Sequence, residues 1–150
     1  MATRTIPTRE DTGSGRAKDG EITVDVESGV LRSSSADVPS GYATGAGGAV
    51  TQITDATTGV TLNKPTGQIT TVALTTVAAA EEEFTVTNSK VAAIDVIAVS
   101  TTYAGAGTPI VAVKGVAAGS FKIVITNVHA SAALNAALVI NFAVIKGAIA

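Results

Sequence analysis

The 150-residue sequence has no cysteine, no tryptophan and a single histidine. Without cysteine there is no disulfide framework, no thiolate zinc site and no cysteine nucleophile. One histidine excludes every motif that needs two. Aromatic residues make up 3% of the chain and charged residues 15%, against about 25% charged in an ordinary soluble domain. Neither sign dominates: ten Lys and Arg face twelve Asp and Glu, for a net charge of −2. A nucleic-acid binder needs a basic stripe or aromatic platforms for bases, and neither is present. The first 20 residues contain no apolar run of the kind that forms a secretory signal.

What fills the chain instead is small and aliphatic. Hydrophobic residues reach 46% and mean hydropathy is +0.41, carried by Ala, Val and Ile. At this length the chain makes one domain, or one domain with a tail. The most apolar stretch, 132–150, is interrupted by Asn135, Asn141, Lys146 and Gly147. It is also rich in β-branched residues, so it predicts a buried strand over a membrane span.

Charge is unevenly distributed. Residues 1–40 hold every arginine and twelve of the chain's charged side chains, five basic and seven acidic. The remaining 110 residues hold ten. The first segment is rich in Gly, Ser and Thr and has little to bury beyond Ile22, Val24, Val26, Val30 and Leu31. Such a segment cannot offset its own ordering entropy, so 1–40 is expected to be an extended N-terminal arm. The alternation over 21–26 predicts a strand that forms against a partner surface. Ser33-Ser34-Ser35 and Pro39-Ser40-Gly41 predict the joint to a second region, 41–150.

In 41–150, short Val/Ile/Thr runs alternate with Gly, Asn and Pro. Strands are predicted at 50–54, 60–62, 68–72, 83–87, 95–100, 110–116, 121–127 and 137–145. Eight short strands at a spacing near ten residues predict an all-β fold, an antiparallel β-sandwich or jelly-roll-like domain. The Ala-rich pieces 77–82 and 130–137 are too short for a stable helix.

Motifs for chemistry are scarce. No P-loop and no nucleophile elbow is present, and Gly45-Ala46-Gly47-Gly48 precedes a predicted strand where a phosphate-binding turn must open a helix. His129 follows a predicted strand and enters a turn, with no acid positioned beside it and Ser131. Glu81-Glu82-Glu83 offers oxygen ligands, but consecutive strand residues point to opposite faces, so a solvated edge is the better reading. The phenylalanines fall in strand patterns, and Tyr103 is the one ring placed in a plausible exposed loop. No catalytic residue, no metal site and no cofactor site is expected.

The strands at 93–99 and 137–145 are apolar on both faces. A monomeric sandwich needs a wet outer face on each sheet, so a further face is expected to be covered by copies of the same chain. Asp95, Ile97 and Val99 are the candidate interface residues. Asp95 needs a cation there, and Lys90 or Lys114 of a neighbouring subunit is the expected partner.

The run Y-A-T-G-A-G-G-A-V-T-Q at 42–52, followed by T-G-V-T-L-N-K-P-T-G-Q-I-T at 58–70, resembles a family of tailed-bacteriophage and prophage virion structural proteins. The likeness continues through F-T-V-T-N-S at 84–89, A-G-S-F-K-I at 118–123 and A-L-V-I-N-F-A-V-I-K at 137–146. It covers 42–147, with T-G-V-T-L-N-K-P as its most specific part; the segment 1–40 lies outside it. The resemblance implies a non-enzymatic virion component. The leading expectation is a homotrimeric head decoration (cement) protein that binds the major capsid protein, sits on the capsid surface and is made in the host cytoplasm. Its arm would dock on capsid subunits through Ile22, Val24, Val26, Val30 and Leu31. The alternatives are a tail, fibre or receptor-binding virion protein and, from another class, a carbohydrate-binding or hydrolytic β-domain. Nucleic acid and membrane are not expected partners.

Overall fold

A computed structural model describes residues 22–24, 31–33, 41–42 and 45–149. The chain divides into two units, Met1–Tyr42 and Ala43–Ala150. In the first, β1 (Ile22–Val24) pairs antiparallel with β2 (Leu31–Ser33), placing Val24 opposite Leu31. Of the strand expected at 21–26, Ile22–Val24 is described, and its partner lies within the same unit. Val26 and Val30 lie outside the described residues.

The second unit is all β, with no helix among the described residues. Its strands are β3 (Ala49–Thr51), β4 (Val60–Thr61), β5 (Thr66–Ala73), β6 (Glu81–Thr87), β7 (Val96–Tyr103), β8 (Pro109–Ala117), β9 (Ser120–Asn127) and β10 (Ala137–Ile145). They form two four-stranded sheets, ordered β3-β5-β10-β7 and β4-β6-β9-β8, packed as a sandwich. Most neighbours are antiparallel. The short edge strands are the exception: β3 runs parallel to β5, and β4 parallel to β6. The cause lies in the path of the chain. From β3 to β6 it alternates between the sheets, so each parallel pair is joined through a strand of the opposite sheet and no hairpin is needed.

The core is built by period-two alternation. Along β10, Leu138, Ile140, Phe142 and Val144 point inward and are almost fully buried. Along β9, Phe121, Ile123 and Ile125 do the same, and β6 adds Phe84 and Val86. The Phe121 and Phe142 rings, one from each sheet, meet at 5.5 Å between centroids with their planes at 59°, a tilted geometry that suits the aromatic quadrupole. The 132–150 stretch owes its apolarity to this placement, because β10 is a central strand paired on both sides.

Buried amides hold the loops. Asn127 uses its full hydrogen-bonding capacity: Nδ2 donates to the carbonyls of Thr76 and Ala132, and Oδ1 accepts from the Thr108 and His129 amides. At the other end of the sandwich, Asn88 Nδ2 donates to the Lys64 carbonyl and its Oδ1 accepts from the Lys90 amide.

Candidate functional site

The residues that singled themselves out by chemistry are engaged in contacts within the domain. His129 Nδ1 accepts hydrogen bonds from the Ser131 and Ala132 amides, at 3.1 and 2.8 Å, and so closes its own turn. Tyr103 is half-buried; its hydroxyl donates to the Ala106 carbonyl and accepts from the Asn135 amide, both at 2.8 Å. The hydroxyl clamps the loop at Ala106 to the segment before β10. Glu83 receives Lys114 at 2.9 Å and also Lys122. These two ammonium groups hold its carboxyl below the usual carboxylate range. Among the described residues, no group of three or more His, Asp or Glu is arranged so that it could hold a metal ion.

Asp95 sits in the turn before β7 and is 5% exposed. Its carboxylate accepts the Ala92 amide at 2.7 Å, the Lys146 ammonium at 2.5 Å and the Gly147 amide at 3.1 Å. The Ala92 amide first, then Lys146, lowers its pKa against the opposing effect of burial. The expected partner, Lys90 or Lys114 of another subunit, is thus replaced by Lys146 of the same chain. Lys114 is engaged with Glu83, while Lys90 offers its backbone carbonyl to Lys146. Gly147 is required at this clamp, since a Cβ there would come 2.0 Å from the Ile94 carbonyl oxygen. Ile97 is buried in the core and Val99 packs against it, so both point into the sandwich.

Residues of the opposite parity form the outer face of the β3-β5-β10-β7 sheet. The register places them in cross-strand rows. Thr51, Thr70, Val139 and Thr102 make one row; Ala49, Gln68, Asn141 and Ser100 make the next. Thr66, Ala143 and Ala98 follow, and then Ile145 opposite Val96. None of these side chains is charged. Gln68 Nε2 donates to Asn141 Oδ1 across the strands at 3.1 Å. The face ends in an aliphatic corner, where Val96 is 59%, Ile145 55% and Ile94 45% exposed. Ile149, 81% exposed, follows two residues after Gly147.

The β4-β6-β9-β8 sheet is ordinary by contrast. Its outer face carries Glu81, Glu83, Lys114 and Lys122. Near the β6 end of the sandwich, a shallow groove of about 480 Å³ is lined by Thr54 to Thr57, Val72, Ala73, Thr75 and Glu82. Asp55 in its wall is already bonded to the Thr57 amide and hydroxyl.

Sequence reasoning chose Ile97 and Val99 as outward candidates, whereas they lie on the inward parity of β7, and Asp95 lies in the turn before it. The signal that finds the outward positions is register. Only the pairing of β10 with both β5 and β7 shows that uncharged positions on four separate strands line up.

No family model, no curated protein and no solved structure matches the chain.

The T-G-V-T-L-N-K-P run holds the fold together. Val60 and Leu62 are buried, Asn63 Oδ1 accepts the Ser89 amide, and the Lys64 carbonyl accepts Asn88 Nδ2. The Pro65 carbonyl accepts the Val144 amide, and the Thr66 hydroxyl donates to the Phe142 carbonyl. The run, with the Thr66 that follows it, ties both sheets to the end loops. No helix among the described residues is long and apolar enough to cross a membrane.

Proposed function

We propose that this protein is a non-enzymatic structural component of a tailed-phage virion, a head decoration protein that self-associates as a trimer and binds the major capsid protein. The observation that carries the reading is the four-stranded outer face without a charged side chain. A sheet face that meets only water normally alternates with charged and strongly polar residues; one that carries none suits a contact between proteins. The resemblance over 42–147 supports the same reading, and its most specific residues are engaged in hydrogen bonds and packing, as befits a protein whose work is mechanical. In this reading the unit 1–42 supplies the capsid contact, with β1 and β2 as candidate recognition strands, and the domain supplies the contact between copies.

The test is location and copy number in purified particles. Quantitative mass spectrometry and gold labelling should find the protein on the head at hundreds of copies per particle. A few copies confined to the tail would turn the reading into a fibre or receptor-binding one, and absence from particles would end it. Deleting residues 1–40 should abolish capsid binding in a pull-down with empty heads; retained binding would count against the role given to the arm.

A further inference from the structure

Where copies of this chain meet has a specific answer. We infer that the outer face of the β3-β5-β10-β7 sheet, together with its Ile94/Val96/Ile145 corner and the edge of β7 that no strand among the described residues pairs, is the surface on which a second copy of this chain docks. This rests on the self-association in the reading above and assigns it to one side of the sandwich.

Three observations select a second copy as the occupant. First, the polar groups of the face are amides and hydroxyls, such as Gln68, Asn141 and Ser100, and each is both donor and acceptor. Such a face offers no charge with which a charged partner could be recognised, and it meets its own copy without a mismatch of sign. Second, the size is close to what is needed. The 28 residues of these four strands, at about 3.4 Å per residue and about 4.8 Å between strands, give roughly 460 Å² in projection. Burying that area on two copies removes on the order of 900 Å² before the Ile94 corner is added, close to the roughly 1,000 Å² that a specific interface needs. Third, the β7 edge is unguarded. On the same side of the sandwich, edge strand β8 has Pro109 at its start, Lys114 within it and a register shift between Lys114 and Ala117. Proline, lysine and bulges are the usual ways of keeping an edge from pairing. β7 runs for eight residues with neither Pro nor Lys, and its pairing with β10 is continuous from Val96 to Tyr103. An edge left so open is covered in the working assembly.

The corner is also held ready. The Asp95 clamp binds the turn before β7 to the segment after β10 through Lys146 and Gly147. Val96 and Ile145 are therefore presented on fixed backbone, and little ordering is left to be done on docking.

The experiment is sedimentation of the full chain and of three single variants at micromolar concentration. Ala98→Glu and Ala98→Lys each place one charge at an exposed position on edge strand β7, between Ser100 and the Val96 corner of the face. Ala112→Glu places the same charge on the outer face of the other sheet. The wild type should sediment as an oligomer. Either Ala98 variant should raise the dissociation constant by at least about tenfold, with circular dichroism unchanged. Ala112→Glu should sediment as wild type. A wild-type oligomer that both Ala98 variants leave intact would overturn this assignment and leave self-association standing. A wild type that stays monomeric would overturn both. Association through this face in a protein missing from virions would uphold the inference and sink the proposed function.

Discussion

Along β9 the outward side chains are Lys122, Val124 and Thr126; along β10 they are Val139, Asn141, Ala143 and Ile145. The two strands are equivalent in other respects. Each is central in a four-stranded sheet, and each sends its alternate residues into the same core. The β9 face is dressed for water: Glu83 is shared between Lys114 and Lys122, and Glu81 stands beside them. The β10 face is dressed for nothing ionic. Both sheets contribute buried side chains to one core, so the difference lies in the outward faces alone, and in the proposed reading it marks what each side meets.

Several perturbations would break or sharpen that contrast. The largest effect should come from the part the two sheets share. Phe121→Ala and Phe142→Ala should each cost about 3–5 kcal/mol in urea denaturation. The double variant should lose less than the sum, because the rings touch. Additive losses would mean that the two sheets have separate cores.

Next is Asn127→Ala, which removes four hydrogen bonds and leaves the Thr76 and Ala132 carbonyls without this donor. A loss of about 2–4 kcal/mol is expected. It should fall on the 104–108 and 128–136 loops, seen as faster amide exchange there and unchanged protection in β10.

Acid should act through Asp95 and Glu83. Both have folded pKa values below their ordinary 3.8 and 4.5. Their contributions are therefore complete above those ordinary values and are lost as pH falls through the lower folded ones. The melting temperature should be flat from pH 8 to about 5 and fall below about 4. Asp95→Asn should flatten that fall. An unchanged acid limb would show that the clamp does not contribute.

The smallest effect belongs to the charged face. Glu83→Gln removes two exposed ion pairs, and the melting temperature should move little. In 1 M salt, where the screening length is about 3 Å, variant and wild type should coincide. A large shift would mean that this face too is built for more than solvent.

Much of the fold is legible in the residues. Phe121 to Thr126 and Ala137 to Ile145 alternate cleanly, and the structure has strands over both. All eight strands expected in 41–150 are present, with ends displaced by a few residues. Edge pairing was harder to read. Nothing in Ala49–Thr51 or Val60–Thr61 says that these short strands run parallel to β5 and β6, since their direction is set by which sheet the chain visits next. Asp95 shows the same limit from another side. Its need for a cation follows from its apolar neighbours, but the cation is Lys146, 51 residues away. Only the packing of β10 beside β7 brings it near. The sparse ionisation of the domain was visible from composition alone. Its concentration on one sheet was not, because it is a property of register across four strands.

The chain enters the domain at β3 and leaves it after β10, and both points lie at one end of the sandwich. Ala49 stands beside Gln68, and Phe142 and Ala143 stand beside Gly67 and Thr66. The pole where Ala106 and Ser131 turn is therefore remote from both points. A peptide or small folded cargo inserted there would project away from the end where the chain enters and leaves the sandwich, which makes that pole the natural place to graft a passenger.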